Sequence, residues 1–289
     1  GTPYNITWTK TGSIGNIKIE LSTDNFVSDT RTIAATYASA NSPYSWTPSA
    51  TVAPIINSAD MNNTNVKIRL TSLGGIPVSD VSTGGNTIIG TITNVQPNSS
   101  ATIWNVGASQ NITWSQIGNM DAVDIYYRTA GGAAAYDIPI VTNHTGHTNG
   151  SNSYTWNPVH DKNSENVWIQ VKDHANPNVV FANSSAAFSI RPVITTSLVP
   201  DPTTSNPLGL VANTNYPNLV RWTKTGTTIT TVNIRYDVDG SGTYAGVIQD
   251  GVAVGSGVAG ISWNLPNNIS LTQTGKIRVI DTGNANVLG

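Results

Sequence analysis

Tryptophan recurs in this chain inside a short strand-like phrase, and that recurrence limits the fold more than any other feature. Asn5-Ile6-Thr7-Trp8, Asn111-Ile112-Thr113-Trp114 and Leu219-Val220-Arg221-Trp222 stand 106 and 108 residues apart (8 to 114, 114 to 222). The pentapeptide Trp8-Thr9-Lys10-Thr11-Gly12 returns unchanged as Trp222-Thr223-Lys224-Thr225-Gly226. A self-similar period of about 100 residues is the length of one ordinary domain, so 289 residues read as three domains in tandem.

Further slots repeat with the same period. Ile17, Ile19 and Leu21, then Val123, Ile125 and Tyr127, then Val232, Ile234 and Tyr236 place apolar residues at every other position. Polar residues lie between them, which is the pattern of a strand with one buried face. Tyr44-Ser45-Trp46, Tyr154-Thr155-Trp156 and Ile261-Ser262-Trp263 form a third slot. Val66, Ile68 and Leu70, Val167, Ile169 and Val171, and Ile277 with Val279 form a fourth. Six of the eight tryptophans occupy the first and third slots, so Trp8 with Trp46, Trp114 with Trp156 and Trp222 with Trp263 are the expected core pairs. Gly, Asn, Ser, Thr and Pro cluster between slots, and no segment sustains a 3.6-residue apolar period. The chain therefore reads as all-β.

Composition narrows the function classes. Charged residues are 10% of the chain, and the formal net charge is −2, so no basic field exists to attract nucleic acid. Cysteine is absent, which excludes disulfide staples, thiolate catalysis and soft-metal thiolate sites. No run approaches the roughly 18 apolar residues that span a bilayer. A start at Gly1 fits a processed chain or a segment of a longer one.

Residues Thr91-Ile92-Thr93-Asn94-Val95-Gln96-Pro97-Asn98, then Ile103-Trp104-Asn105-Val106-Gly107, then Ile112-Thr113-Trp114 carry a resemblance. They are similar to the opening of an immunoglobulin-like surface repeat, the Ser-Thr-rich cell-wall and anchored-protein module of bacterial, archaeal and fungal surface proteins. Asn98-Ser99-Ser100-Ala101 replaces that family's Asn-Gly-Gly-Glu turn. The later Tyr-x-Trp and alternating slots extend the resemblance over nearly the whole chain. It implies three tandem immunoglobulin/fibronectin-III-like β-sandwiches in a semi-rigid rod, without shared catalytic residues. The expected boundaries are 1–90, 91–190 and 191–289, with short joins near Gly90 and Arg191-Pro192. The first repeat lacks its leading strand. In the third, Asp281, Asn286 and Val287 align with Asp173, Asn178 and Val179, and the last strand is missing. The chain is accordingly expected to be a window on a longer polypeptide, the alternative being strands donated by neighbouring subunits.

Candidate sites compete with structural readings. Asp237-Val238-Asp239-Gly240-Ser241-Gly242 resembles the start of a Ca2+ loop, with Asp237 and Asp239 as ligands. It lacks a third acidic residue, and Asp-Gly is a strong hairpin signal, so a tight turn is expected. His144 and His147 could share a metal, but zinc needs three or four protein ligands, and solvated loop histidines are expected. His160 beside Asp161 and Asp173 beside His174 could form acid-base pairs, yet no nucleophile stands near them. Glu20 and Glu165 are the two glutamates of the chain, and Glu20 is expected on an outward, solvated position beside Lys or Arg. Sequons occur at Asn5, Asn62, Asn98, Asn111, Asn143, Asn149, Asn183 and Asn268, of which Asn98, Asn143 and Asn149 are the loop positions suited to a glycan. Trp168 is phased outward, under a covering loop or at an interface with another chain.

The expected function is structural: a non-enzymatic segment of an extracellular surface assembly such as an S-layer, filament or stalk. Its partners would be other copies or flanking repeats, with cell-wall polysaccharide as a further partner and no cofactor. The alternatives are an adhesin or carbohydrate-binding module, with Tyr4, Tyr136 or Tyr244 stacking on sugars, and an accessory region of a larger secreted enzyme.

Overall fold

The computed structural model describes residues 3–49, 52–54, 56, 60, 64–118, 120–198, 210–255, 259–269 and 274–289. The sequon at Asn62 lies outside the described residues. Thr, Val and Ile favour extended backbone. The chain uses them in three groups of strands, and no strand pair joins one group to another among the described residues.

The first group holds β1 (Tyr4–Ile6), β2 (Asn16–Ser22), β3 (Arg31–Ala38), β4 (Tyr44–Trp46), β5 (Lys67–Ser72) and β6 (Ser79–Val81). β1 pairs β4, and the others form a sheet in the order β3-β2-β5-β6. The middle group holds β7 (Thr91–Gln96), β8 (Ile103–Asn105), β9 (Gln110–Ile117), β10 (Val123–Arg128), β11 (Ile138–His144), β12 (Gly150–Trp156), β13 (Ser164–Asp173), β14 (Phe181–Asn183) and β15 (Phe188–Arg191). One sheet runs β12-β9-β7; the other runs β11-β10-β13-β15-β8, with β14 also on β13. The third group holds β16 (Val193–Leu198), β17 (Asn215–Thr225), β18 (Thr231–Asp237), β19 (Gly246–Ala253), β20 (Ala259–Asn264) and β21 (Lys276–Asp281), as sheets β16-β17-β20 and β19-β18-β21.

In each group the two sheets bury apolar residues against each other, which makes each a β-sandwich of the immunoglobulin/fibronectin-III kind. In the middle group Ile112, Trp114 and Trp156 from one sheet meet Ile125, Val167, Ile169 and Phe188 from the other. In the third, Val220 and Trp222 meet Val232, Ile234 and Val279, while Trp263 packs in a second cluster with Tyr216, Leu219 and Leu265, so Trp222 and Trp263 do not form the single core pair expected. The pairing registers coincide: Tyr44 faces Ile6, Tyr154 faces Ile112, and Ile261 faces Val220. The period-two reading places the alternating slots on the buried face, with Ile19, Ile125 and Ile234 fully enclosed.

The tryptophan pairs are not equivalent. Trp114, Trp156, Trp222 and Trp263 are buried, whereas Trp8 and Trp46 are half-buried. In the middle group Trp104 of β8 stacks edge-on against Trp156 at 6.0 Å and Phe188 at 4.7 Å. No strand takes the place of β7 or β8 in the first group among the described residues, so its two indoles are left partly uncovered.

Asparagine has a backbone role at three strand irregularities. Asn94, Asn143 and Asn218 adopt φ of 54°, 55° and 51°, and each sits at a register shift in β7, β11 or β17. Asn tolerates the left-handed region better than other non-glycine residues, so it suits the extra residue of a bulge.

The end of the third group corrects the sequence alignment. The Asp173 N–H donates to Val180 O and the Asp281 N–H to Val287 O. Val180 and Val287 are both buried, while Val179 is 65% exposed. Val287 is therefore the counterpart of Val180, not of Val179, because burial selects the residue that faces the core. Leu288 and Gly289 then pair with Ile280 and Val279, next to β21, as β14 does with β13.

Candidate functional site

An interconnected polar site lies where the middle sandwich meets the third. β15 ends at Arg191 and β16 begins at Val193, so Pro192 alone links them. Proline fixes its own φ, and one residue leaves no slack for a swinging linker. Around this link the polar ends of β13, the loop ahead of it, and the turns after β17 and β21 form one hydrogen-bonded set.

Asp161 Oδ2 accepts the Thr227 backbone N–H at 2.6 Å and the Thr227 hydroxyl at 2.7 Å. The Asn163 amide donates to Asp281 Oδ2 at 2.9 Å. The Asn284 amide donates to Asn163 Oδ1 at 2.7 Å and to Glu165 Oε1 at 2.8 Å. Arg191 grips Glu165 with Nε and Nη2, each at 2.8 Å, and the Ser189 hydroxyl donates to Oε2 at 2.6 Å. Hydrogen bonds from Arg191 hold the Glu165 carboxyl down at about 2 against the opposing effect of burial, with Asn284 and Ser189 adding to the depression.

The close approach depends on Gly226, whose φ is +100°. A Cβ there would stand 2.9 Å from Asp161 Oδ1 and 3.1 Å from Pro192 Cβ. A polar crevice of about 460 Å3 remains between the sandwiches, lined by Asn163, Glu165, Thr230, Asp281 and Asn284 among others. The chemistry of this site is positional: amides, a clamped carboxylate and a fixed link hold two bodies at one angle.

The candidates singled out from sequence lie elsewhere, apart from Asp161 and Glu165. Asp237 is buried, and its carboxylate accepts the backbone N–H groups of Asp239, Gly240 and Gly242. The calcium-like segment thus closes a turn on Asp237. The adjoining Asp239 is held down at about 2 by hydrogen bonds from Ser241. No group of three His, Cys, Asp or Glu is placed to hold a metal ion among the described residues.

His144 and His147 stack at 6.1 Å beside Trp114, and burial lowers the pKa of both. They are packed rings, not the solvated loop histidines expected. His160 Nδ1 lies 3.2 Å from the Tyr127 hydroxyl, whose pKa burial pushes up to about 12. His174 Nδ1 lies 2.8 Å from Asp124, which also accepts the Asn143 N–H. Asp173 accepts the Asn176 amide and the Ala175 N–H.

Glu20 departs from the solvated position expected of it. It is 4% exposed, because Lys18 and Arg69 fold over it at 2.6 and 2.8 Å, and Phe26 lies under the Arg69 guanidinium. Burial works to raise its pKa, and the Lys18 and Arg69 hydrogen bonds outweigh burial and lower it. Trp168 is half-buried beneath the Arg128 guanidinium, 5.3 Å from its ring centroid. Arg128 also binds the carbonyls of Gly132 and Ala134, so the loop after β10 is drawn to the same spot.

Of the tyrosines proposed for sugar stacking, Tyr4 is exposed, while Tyr136 lies under Arg128 and Tyr244 under Arg278. The sequons differ in setting. Asn98 is half-buried, Asn143 sits exposed at a bulge, and Asn149 is exposed with its side-chain oxygen accepting the Gly118 N–H. No local pattern in the sequence marks Asn163, Thr227 or Asn284, and Asp281 stands out there only by its alignment with Asp173. Gly226 was visible as part of the repeated pentapeptide, and its return at Gly12, also at positive φ, signalled a backbone requirement.

No family model matches the chain, and no curated protein matches it. Solved structures similar to it include fibronectin(III)-like modules of Clostridium thermocellum CbhA, at 11% identity over 66% of this chain and 86% of that one, with a TM-score of 0.25. Three N-terminal domains of the bacteriophage RB49 highly immunogenic outer capsid protein (Hoc) match at 12% identity over 96% and 86%, with a TM-score of 0.25. Extracellular domains 3–5 of Drosophila OTK match at 10% identity over 100% and 89%, with a TM-score of 0.27. At such scores the likeness carries no argument, and the fold rests on the strand pairing itself.

Proposed function

We propose that this chain is a structural repeat segment of an extracellular cell-surface assembly, such as an S-layer, surface filament or stalk, and that it is not an enzyme. The three sandwiches, bounded at 1–90, 91–190 and 191–289, act as links of a semi-rigid rod. The polar lock around Pro192 is the observation that carries this reading. A flexible tether would not need Asp161, Asn163 and Glu165 aligned on Thr227, Asp281 and Asn284. The near-neutral surface, with a net charge of −2, suits side-by-side packing with other copies or flanking repeats, and with wall polysaccharide. No helix among the described residues is long and apolar enough to cross a membrane. Asn98, Asn143 and Asn149 remain the positions we propose for glycans; for Trp168 the cover of Arg128 and its loop favours the covering reading over a chain-to-chain contact. A calcium ion at Asp237 and Asp239 is not part of the reading, since Asp237 already satisfies three backbone donors.

Because the chain has no cysteine, Ser115→Cys with Thr243→Cys gives two unique spin-label sites, one in each of the last two sandwiches. Pulsed dipolar spectroscopy on this chain should return one narrow distance distribution. Adding Asn284→Ala with a Gly-Ser insertion after Pro192 should broaden it. A broad distribution in the unmodified joint would overturn the rod.

A further inference from the structure

The first sandwich contains an apolar groove of about 1300 Å3, lined by Ile6, Trp8, Ile14, Trp46, Ile68 and Ile88 among others. Its two rims, residues 7–11 after β1 and residues 87–89, lie outside any strand and pair with none among the described residues. β1 pairs with β4 alone, and residues 87–89 beside Asn86, which bridges Val66, have no strand partner.

The other two sandwiches display what covers this face. In the middle one, Ile92 of β7 faces Gln116 and Thr93 faces Ser115 on β9, while Trp104 of β8 lies beside Ile190 of β15. In the third, Ile194 of β16 faces Lys224 and Thr195 faces Thr223 on β17. Ile92 and Ile194 fill the same buried place, at 5% and 4% exposure. Lys10 and Thr9 hold the corresponding positions of the first sandwich. In both, the strand that pairs with the Trp-bearing strand on this side is carried by the chain N-terminal to it.

We propose that this groove is a binding seat for an extended polypeptide strand of the β7–β8 kind, delivered by the polypeptide on the N-terminal side of β1. The strand would place a β-branched apolar residue opposite Lys10 and a large aromatic ring against Trp46 and Ile88, with its backbone pairing along Thr7 to Thr11. The ligand class is thus a peptide with the pattern Thr-Ile-Thr-x-Val-x followed, after a turn, by Ile-Trp-x-Val. Backbone hydrogen bonds supply affinity and the alternate side chains supply register. The inference is independent of the rod, since it concerns one sandwich and not the joint between two.

The test adds a copy of residues 91–109 of this sequence ahead of Gly1 of the full chain, beside a control copy bearing Ile92→Ser and Trp104→Ser. The patterned extension should protect the amides of residues 7–11 from hydrogen exchange at least tenfold and raise the lowest calorimetric transition, and the control should do neither. Identical exchange and melting in the patterned, control and unextended chains would overturn the proposal. A free synthetic peptide of residues 91–107 that protects these amides when the tethered copy does not would overturn delivery from the N-terminal side, placing the donor on another chain.

Discussion

Trp114 and Trp8 occupy the same position of the same phrase, yet they meet different surroundings. Trp114 is 2% exposed inside a closed sandwich, while Trp8 is half-buried and donates its Nε1–H to Ser39 O at 2.9 Å. Truncating a fully enclosed indole loses its transfer energy and leaves a cavity. Trp114→Ala should therefore cost about 3–5 kcal/mol, against about 1–2 kcal/mol for Trp8→Ala at its open site. Calorimetric scans, read as separate transitions, would check the ordering, and equal losses would contradict it. His147 supplies a pH-dependent contribution. Burial, then the nearby His144, lowers its pKa from 6.5 against smaller opposing effects of a hydrogen bond with His144 and of Asp173 and Asp121. The unfolded chain thus binds the proton first, and stability is full above about pH 6.5 and falls as the pH drops below it. The middle transition should melt lower at pH 5.5 than at 7.5, and His147→Gln should shrink that difference without abolishing it, because burial also lowers the pKa of His144 and His160.

At the scale of elements, turns at strand ends reuse one device. Asp237 closes the end of β18 by accepting three backbone N–H groups, while after β21 and β13 Asp281 and Asp173 each accept one, from Gly283 and Ala175. Asp237→Ala would leave these donors without their acceptor and should destabilise the third sandwich by about 1–3 kcal/mol, with Asp237→Asn costing less because one oxygen remains. Denaturant melts of the two variants would measure it. The repeated pentapeptide has a similar explanation. Lys10 donates to Ile14 O at 3.1 Å, Lys224 donates to Ile229 O at 2.6 Å, and Gly12 and Gly226 take φ of 84° and 100°. Each copy ties down the loop that leaves its Trp-bearing strand, which is why Lys and Gly recur with the tryptophan.

For the molecule as a whole, the joint at Pro192 titrates through Glu165. Its carboxyl is held at about 2, below the ordinary 4.5, chiefly by Arg191. A depressed acid stabilises fully above its unfolded value, so this contribution persists above about pH 4.5 and is lost between there and about pH 2. The spin-label distance across the joint should broaden over that window, and Glu165→Gln should shift the broadening out of it. An unchanged distribution down to pH 2 would show that the carboxylate does not hold the angle.

Legibility in the sequence followed range. The strands, the three-fold period and the buried faces were readable because alternation is local: Ile17, Ile19 and Leu21 reach one face whatever lies opposite. Asp161 and Glu165 were visible as isolated acids, but nothing local joins Glu165 to Asn284 or Asp161 to Thr227. Glu20 was phased outward correctly and still became buried, because Lys18 and Arg69 close over it. Sequence by itself determined which residues alternate, where the chain turns and how often the pattern returns, since these follow from each residue's own backbone preference. Only the tertiary structure decided which tryptophans are enclosed and which polar groups lock two sandwiches together, because both depend on what a distant strand brings to the same point in space.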